Sequence, residues 1–71
     1  MGFGFLNLTS EPWCEISIDG KSYGQTPQAG IKLPAGPHSV VLTNPSAGIK
    51  KRVVVTISAD TTTRKRFNLA N

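Results

Sequence analysis

Cys14-Glu15-Ile16-Ser17-Ile18-Asp19-Gly20-Lys21-Ser22-Tyr23-Gly24 alternates apolar and polar side chains and then doubles back. Cys14, Ile16 and Ile18 share one parity, with Glu15 and Ser17 on the other. A repeat of two is the signature of a half-buried strand. Asp19-Gly20 suits a tight hairpin, because both residues tolerate positive φ. The return strand is short, from Lys21 to Tyr23, and ends at Gly24. The same grammar extends in both directions. Upstream, Leu6 and Leu8 share a face of a first strand, which Ser10-Glu11-Pro12-Trp13 interrupts because Pro12 cannot donate to a ladder.

Downstream, Gln25-Thr26-Pro27-Gln28 reads as a loop or an extended edge. Ile31 and Leu33 flank Lys32 in another short strand, and Pro34-Ala35-Gly36-Pro37 turns the chain. His38, Val40 and Leu42 share a face of the next strand, which stops at Asn44-Pro45, and Ser46-Ala47-Gly48 is a loop. Val53, Val55 and Ile57 mark what should be the longest strand, from about Lys50 to Ser58. Ala59-Asp60 turns the chain, and Thr61 to Leu69 returns it with Phe67 and Leu69 on one face. Apolar residues nowhere recur at helical spacing. The expected fold class is all-β, a small sandwich of about seven short antiparallel strands. Its expected core is Leu6, Leu8, Ile16, Ile18, Leu33, Val40, Leu42, Val53, Val55, Ile57, Phe67 and Leu69.

The chain has 71 residues, enough for one small domain with a thin core, expected over 1–71 with about 4–69 structured. At 38% hydrophobic and 17% charged it is too apolar for a disordered segment. The longest apolar run, Val53-Val54-Val55, cannot span a membrane, and no signal peptide is legible at the N-terminus. The single cysteine, Cys14, allows neither an intramolecular disulfide nor a CxxC metal knuckle. A small buried thiol is its plain reading, and a reactive or intermolecular thiol the alternative.

An enzyme needs a constellation, and the residues offer none. His38 is the only histidine, and strand-face packing or solvent exposure accounts for it. No G-x-S-x-G elbow supports a nucleophile. Asp19 and Asp60 are explained by turns, and Glu11 and Glu15 flank Trp13 in a domain too small to build a pocket around them. Met1-Gly2-Phe3-Gly4 lacks the strand before and the helix after that a phosphate loop needs. The expectation is therefore no catalytic residue, no metal and no cofactor.

Charge is the functional signal. Net charge is +4, and Lys50-Lys51-Arg52 and Arg64-Lys65-Arg66 supply six of the eight Lys and Arg residues. If the last two strands form a hairpin across Ala59-Asp60, the triplets lie side by side. Arg52, Arg64 and Arg66 have the parity opposite Val53, Val55 and Phe67, so they face outward. Three readings compete for such a patch. It is a solvated face that blocks edge-to-edge aggregation, or a docking surface for an acidic protein or anionic envelope component, or a nucleic-acid site. The last lacks interleaved aromatics for stacking and a recognition helix. Trp13, just after a proline, either caps the end of the core or is a partly exposed binding anchor.

Several of these residues recur together in order. Ser10-Glu11-Pro12-Trp13, then Ile16, Ile18 and Asp19-Gly20, then Gly24, Thr26 and Pro27 as in a G-x-T-P loop, then Leu33-Pro34-Ala35-Gly36, His38, Val40, Leu42 and Asn44-Pro45. The chain in this respect resembles the PEGA domain, a short all-β module, from about Gly4 to Leu69. Cys14 stands where that family commonly has Gly or Ala, and the C-terminal strand is more basic here. The resemblance implies an Ig-like or transthyretin-like sandwich without catalytic activity. It also implies an extracytoplasmic or envelope setting, as in versions at the C-termini of membrane-linked bacterial serine/threonine kinases. The expected function is a non-catalytic binding or structural module of a larger envelope-associated or signalling protein. Its expected partner is a protein or cell-envelope component, with no membrane insertion. A polyanion- or nucleic-acid-binding domain using the basic hairpin is the alternative. The candidate binding residues are Lys50, Lys51, Arg52, Arg64, Lys65, Arg66 and Trp13.

Overall fold

Alternating burial runs along nearly every extended segment of the computed structural model, which describes residues 2–69. Met1, Ala70 and Asn71, at the ends of the expected 1–71 unit, lie outside the described residues. The strands are β1 (Phe3–Glu11), β2 (Glu15–Ile18), β3 (Lys21–Gln25), β4 (Gln28–Pro34), β5 (Gly36–Asn44), β6 (Ile49–Ile57) and β7 (Thr62–Asn68), with a 3-10 turn at Pro45–Ala47. In β1, Gly4, Leu6 and Leu8 are buried while Phe3, Phe5 and Thr9 are exposed, as a pleat with one wet face requires. Asp19 and Gly20 close the β2–β3 hairpin at φ 51 and 84, the left-handed region that the Asp-Gly pair was expected to supply.

The strands form two sheets, ordered β4-β1-β7 and β3-β2-β5-β6. Their inner faces enclose Leu6, Leu8, Cys14, Ile16, Ile18, Ile31, Leu33, Val40, Leu42, Val55 and Ile57. Ile31 joins the expected core. Val53, Phe67 and Leu69 are only partly buried against it, and Val53 and Phe67 lie on edge strands, which have a neighbour on one side only. Cys14 is fully buried. Proline at position 12 ends β1 later than expected, since pairing continues through Ser10 and Glu11.

One expectation is overturned. β6 and β7 do not form a hairpin. β6 pairs with β5, while β7 lies in the other sheet and runs parallel to β1, from Phe5 opposite Thr62 to Glu11 opposite Asn68. The 58–61 connection is an arch that carries the chain from one sheet to the other. Asp60, at φ 57, makes the bend. Backbone bonds fasten the arch to β1: Asp60 N–H donates to Phe3 C=O and Phe5 N–H to Thr61 C=O, each at 2.9 Å. The strands are thus antiparallel throughout except for the β1–β7 pair.

Candidate interaction surface

The arch decides where the basic residues go. On β6, Lys50 and Arg52 stand opposite Thr43 and Val41, on the outer face of the four-stranded sheet. On β7, Arg64 and Arg66 stand opposite Asn7 and Thr9, on the outer face of the three-stranded sheet. The two faces point away from each other. The single basic patch expected from a hairpin is therefore two separate surfaces, and the polyanion alternative loses the continuous strip on which it rested. Lys51, opposite Leu42, and Lys65, opposite Leu8, have core-side parity but sit on edge strands and stay exposed.

The three-stranded face carries more than charge. Phe3 and Phe5 are 50% and 41% exposed on it, and Lys32 pairs opposite Phe5 with its Nζ 4.9 Å from the Phe3 ring centroid. Phe5 stands opposite Thr62 and Lys32, at the arch end of this face, whereas Arg64 and Arg66 stand opposite Asn7 and Thr9 farther along the strands, so the aromatics flank the arginines and do not interleave with them. Their mark in the sequence is parity opposite to Leu6 and Leu8. A shallow groove of about 300 Å³ runs alongside, lined by Asn7, Thr9, Arg64, Lys65 and Arg66. Asn7 is fixed there, since its Oδ1 accepts from Gly30 N–H at 2.8 Å.

Trp13 is 42% exposed and is held by its backbone, whose carbonyl accepts from Asn44 Nδ2 at 2.7 Å. It stands at the end of the sandwich where β5 passes into β6, near the start of the Lys50-Lys51-Arg52 run. It does not adjoin the arch. Asn44 Oδ1 also accepts from Ala47 N–H, so this one buried amide ties the Trp13 link to the 3-10 turn. In the sequence, Asn44 before Pro45 marks only the end of a strand.

Among the described residues, His38 and Asp19 form the one ion pair. His38 is buried, with Nδ1 2.5 Å from Asp19 Oδ2 and Nε2 2.7 Å from Pro34 C=O. A carbonyl only accepts, so the bond to Pro34 needs a proton on Nε2 and the bond to the Asp19 carboxylate a proton on Nδ1; both bonds together require the imidazolium, and the neutral ring keeps only one of them. The hydrogen bond to Asp19 and that to Pro34 hold the His38 pKa above its ordinary 6.5. The His38 hydrogen bond and the Ser39 N–H hold the Asp19 carboxyl below 3.8. The raised His38 contributes stability that is full below 6.5 and is lost as pH rises through its folded value. The depressed Asp19 contributes stability present above 3.8 and lost as pH falls. Thermal midpoints should therefore be highest between about pH 4 and 6.5 and decline toward alkaline pH, and His38→Gln should remove the alkaline decline. A wild-type midpoint that is flat from pH 6 to 9 contradicts this pairing. Among the described residues, no group of three or more His, Cys, Asp or Glu gathers in metal-binding geometry, and no helix is long and apolar enough to cross a membrane.

The model of one family, the PEGA domain, matches residues 4–71. The chain belongs to the PEGA domain family. No curated protein and no solved structure matches it. Membership supports a non-catalytic module, and the residues that carry it have structural work in this PEGA domain. Thr26 of the G-x-T-P loop is buried. Its Oγ1 accepts from Cys14 N–H at 2.9 Å and bonds Ser10 Oγ at 2.7 Å, while its own N–H donates to Cys14 C=O. It thereby holds the crossing from β3 to β4 against the ends of β1 and β2. The Pro34-Ala35-Gly36 turn makes the next crossing, from β4 to β5, and its Pro34 carbonyl is the acceptor that orients His38.

Proposed function

We propose that this PEGA domain is a binding module of a larger envelope-associated or signalling protein, which captures a protein or cell-envelope partner through its surface. The family supports the non-catalytic part of this reading. One observation supports recognition. Six of the eight cationic side chains sit on β6 and β7, both edge strands, and no strand at either edge of either sheet carries an acidic residue. Fixed positive charge along open strand edges prevents self-association and favours an acidic partner.

The test is the triple variant Arg52→Glu, Arg64→Glu, Arg66→Glu. All three side chains are exposed, so the variant should melt like the wild type. Immobilised wild-type domain should retain an envelope-fraction partner at physiological salt, and the variant should lose it. Equal retention by both proteins contradicts the reading. An affinity that falls steeply and linearly on a log–log salt plot assigns the surface to a polyanion instead.

A further inference from the structure

We propose that β7 is a docking edge for an extended acidic peptide segment, which adds as a fourth strand to the β4-β1-β7 sheet and sets its carboxylates against Arg64 and Arg66. The proposal rests on the binding-module reading and gives it a place and a partner chemistry.

The backbone comes first. β7 is the last strand of its sheet, so one of its sides has no neighbouring strand. Which groups face that side follows from the bonds at its two ends. Thr61 C=O accepts from Phe5 N–H, and Leu69 N–H donates to Glu11 C=O. Successive residues of a strand direct their amide and carbonyl to alternate sides. Odd-numbered positions therefore face β1, and Arg64 and Arg66 direct their N–H and C=O outward. The same two residues send their side chains onto the outer face. Each thus presents a donor, an acceptor and a guanidinium to an incoming strand, which is the arrangement strand addition uses for affinity and specificity together.

Spacing and charge select the occupant. Residues i and i+2 of a strand lie about 6.6–6.8 Å apart on one face. The Arg64–Arg66 repeat therefore matches carboxylates at alternate positions of an extended peptide, and each guanidinium can hold a carboxylate through two hydrogen bonds. The groove lined by Asn7, Thr9, Arg64, Lys65 and Arg66 receives those side chains. β7 carries no acid, and the one acid of β1, Glu11, stands on the same outer face opposite Asn68, one step beyond Arg66; among the described residues it forms no ion pair with Arg64 or Arg66, so both guanidiniums are left for an incoming carboxylate. A second copy of this chain is a poor occupant, because β3, β4, β6 and β7, the four edges it could offer, carry cations and no carboxylates. Like charges placed opposite each other across a pair are destabilising. A nucleic acid meets the guanidiniums but leaves the outward amides and carbonyls without the complementary ladder that a peptide supplies.

The experiment uses the isotope-labelled 71-residue chain and a short, end-blocked peptide alternating Glu with Thr. A Lys-Thr peptide and an oligothymidylate serve as comparison probes. The Glu-Thr peptide should bind saturably, and the Lys-Thr peptide should not. At saturation the Arg64 and Arg66 amides should exchange with solvent at least about tenfold more slowly. The double variant Arg64→Glu, Arg66→Glu should bind the peptide at least about tenfold more weakly while keeping its melting curve. If that variant does not fold, protection of the two amides in the unaltered chain decides. Absence of saturable binding overturns the proposal. So does binding that leaves both amides unprotected, and so does tighter binding of oligothymidylate, which assigns the face to single-stranded nucleic acid. Failure here with arginine-dependent capture intact in the triple-variant assay removes strand addition and leaves the binding-module reading standing.

Discussion

Gly4→Val should abolish cooperative folding. Gly4 is buried in β1 beneath the arch, and a Cβ at this position would meet the Ser58 carbonyl oxygen, Ile57 Cγ2 at 2.7 Å and Thr61 O at 2.9 Å. Two of these obstacles are backbone carbonyls, and Thr61 C=O also accepts the Phe5 N–H. Relief requires the arch to lift. Lifting it breaks the bonds to Phe3 and Phe5 and pulls β7 out of register with β1. A chain of 71 residues has about 4–11 kcal/mol of stability at the usual 0.05–0.15 kcal/mol per residue. Overpacking alone costs about 1–3 kcal/mol, and here the loss of a strand pairing is added. Circular dichroism should show no sigmoidal melt for Gly4→Val, and Gly4→Ala should melt well below the wild type. A Gly4→Val protein that melts within a few degrees of the wild type would sink this account of the arch.

Leu8→Ala should be among the most damaging of the simple truncations. Leu8 is fully buried on β1, the only strand of its sheet with a neighbour on each side. Removing a buried leucine side chain to alanine costs about 2–5 kcal/mol, partly from transfer and partly from the cavity left behind. That is a large share of the stability just given. Urea denaturation should show a much lower midpoint with an unchanged slope, the mark of lost stability without a change in the surface exposed. A loss below about 1 kcal/mol would mean that the two sheets close over the gap.

The strands themselves were legible because burial has a period of two. Parity placed Leu6, Leu8, Ile16, Ile18, Val40, Leu42, Val55 and Ile57 inside, and they are inside. The partner of each strand was less legible. Ala59-Asp60 reads equally as a hairpin turn or an arch, since either needs only a residue with positive φ, and Asp60 supplies it. What separates the two is contact with β1, which is distant in sequence: Asp60 with Phe3, and Thr61 with Phe5. The basic triplets were therefore found but joined to the wrong neighbours. Phe3 and Phe5 went unnoticed for the same reason, because a first strand cannot announce that the last one lies beside it. Thr26, Asn44 and the His38–Asp19 pair are buried or partly buried polar contacts between residues far apart in sequence. Short-range patterns record a turn or a strand end at these positions and leave the partner unwritten.

Parallel pairing of the first and last strands has a mechanical consequence. β1 and β7 are neighbours that run in the same direction, so Phe3 and Asn68 stand at opposite ends of a body 38 Å long. Tension applied between those ends drags the two strands past each other along their length. The slanted bonds from Phe5–Thr62 to Glu11–Asn68 are then loaded together in shear. A terminal hairpin would instead open one rung at a time. Placed in line within a longer chain, this unit would transmit a pull through its β1–β7 seam.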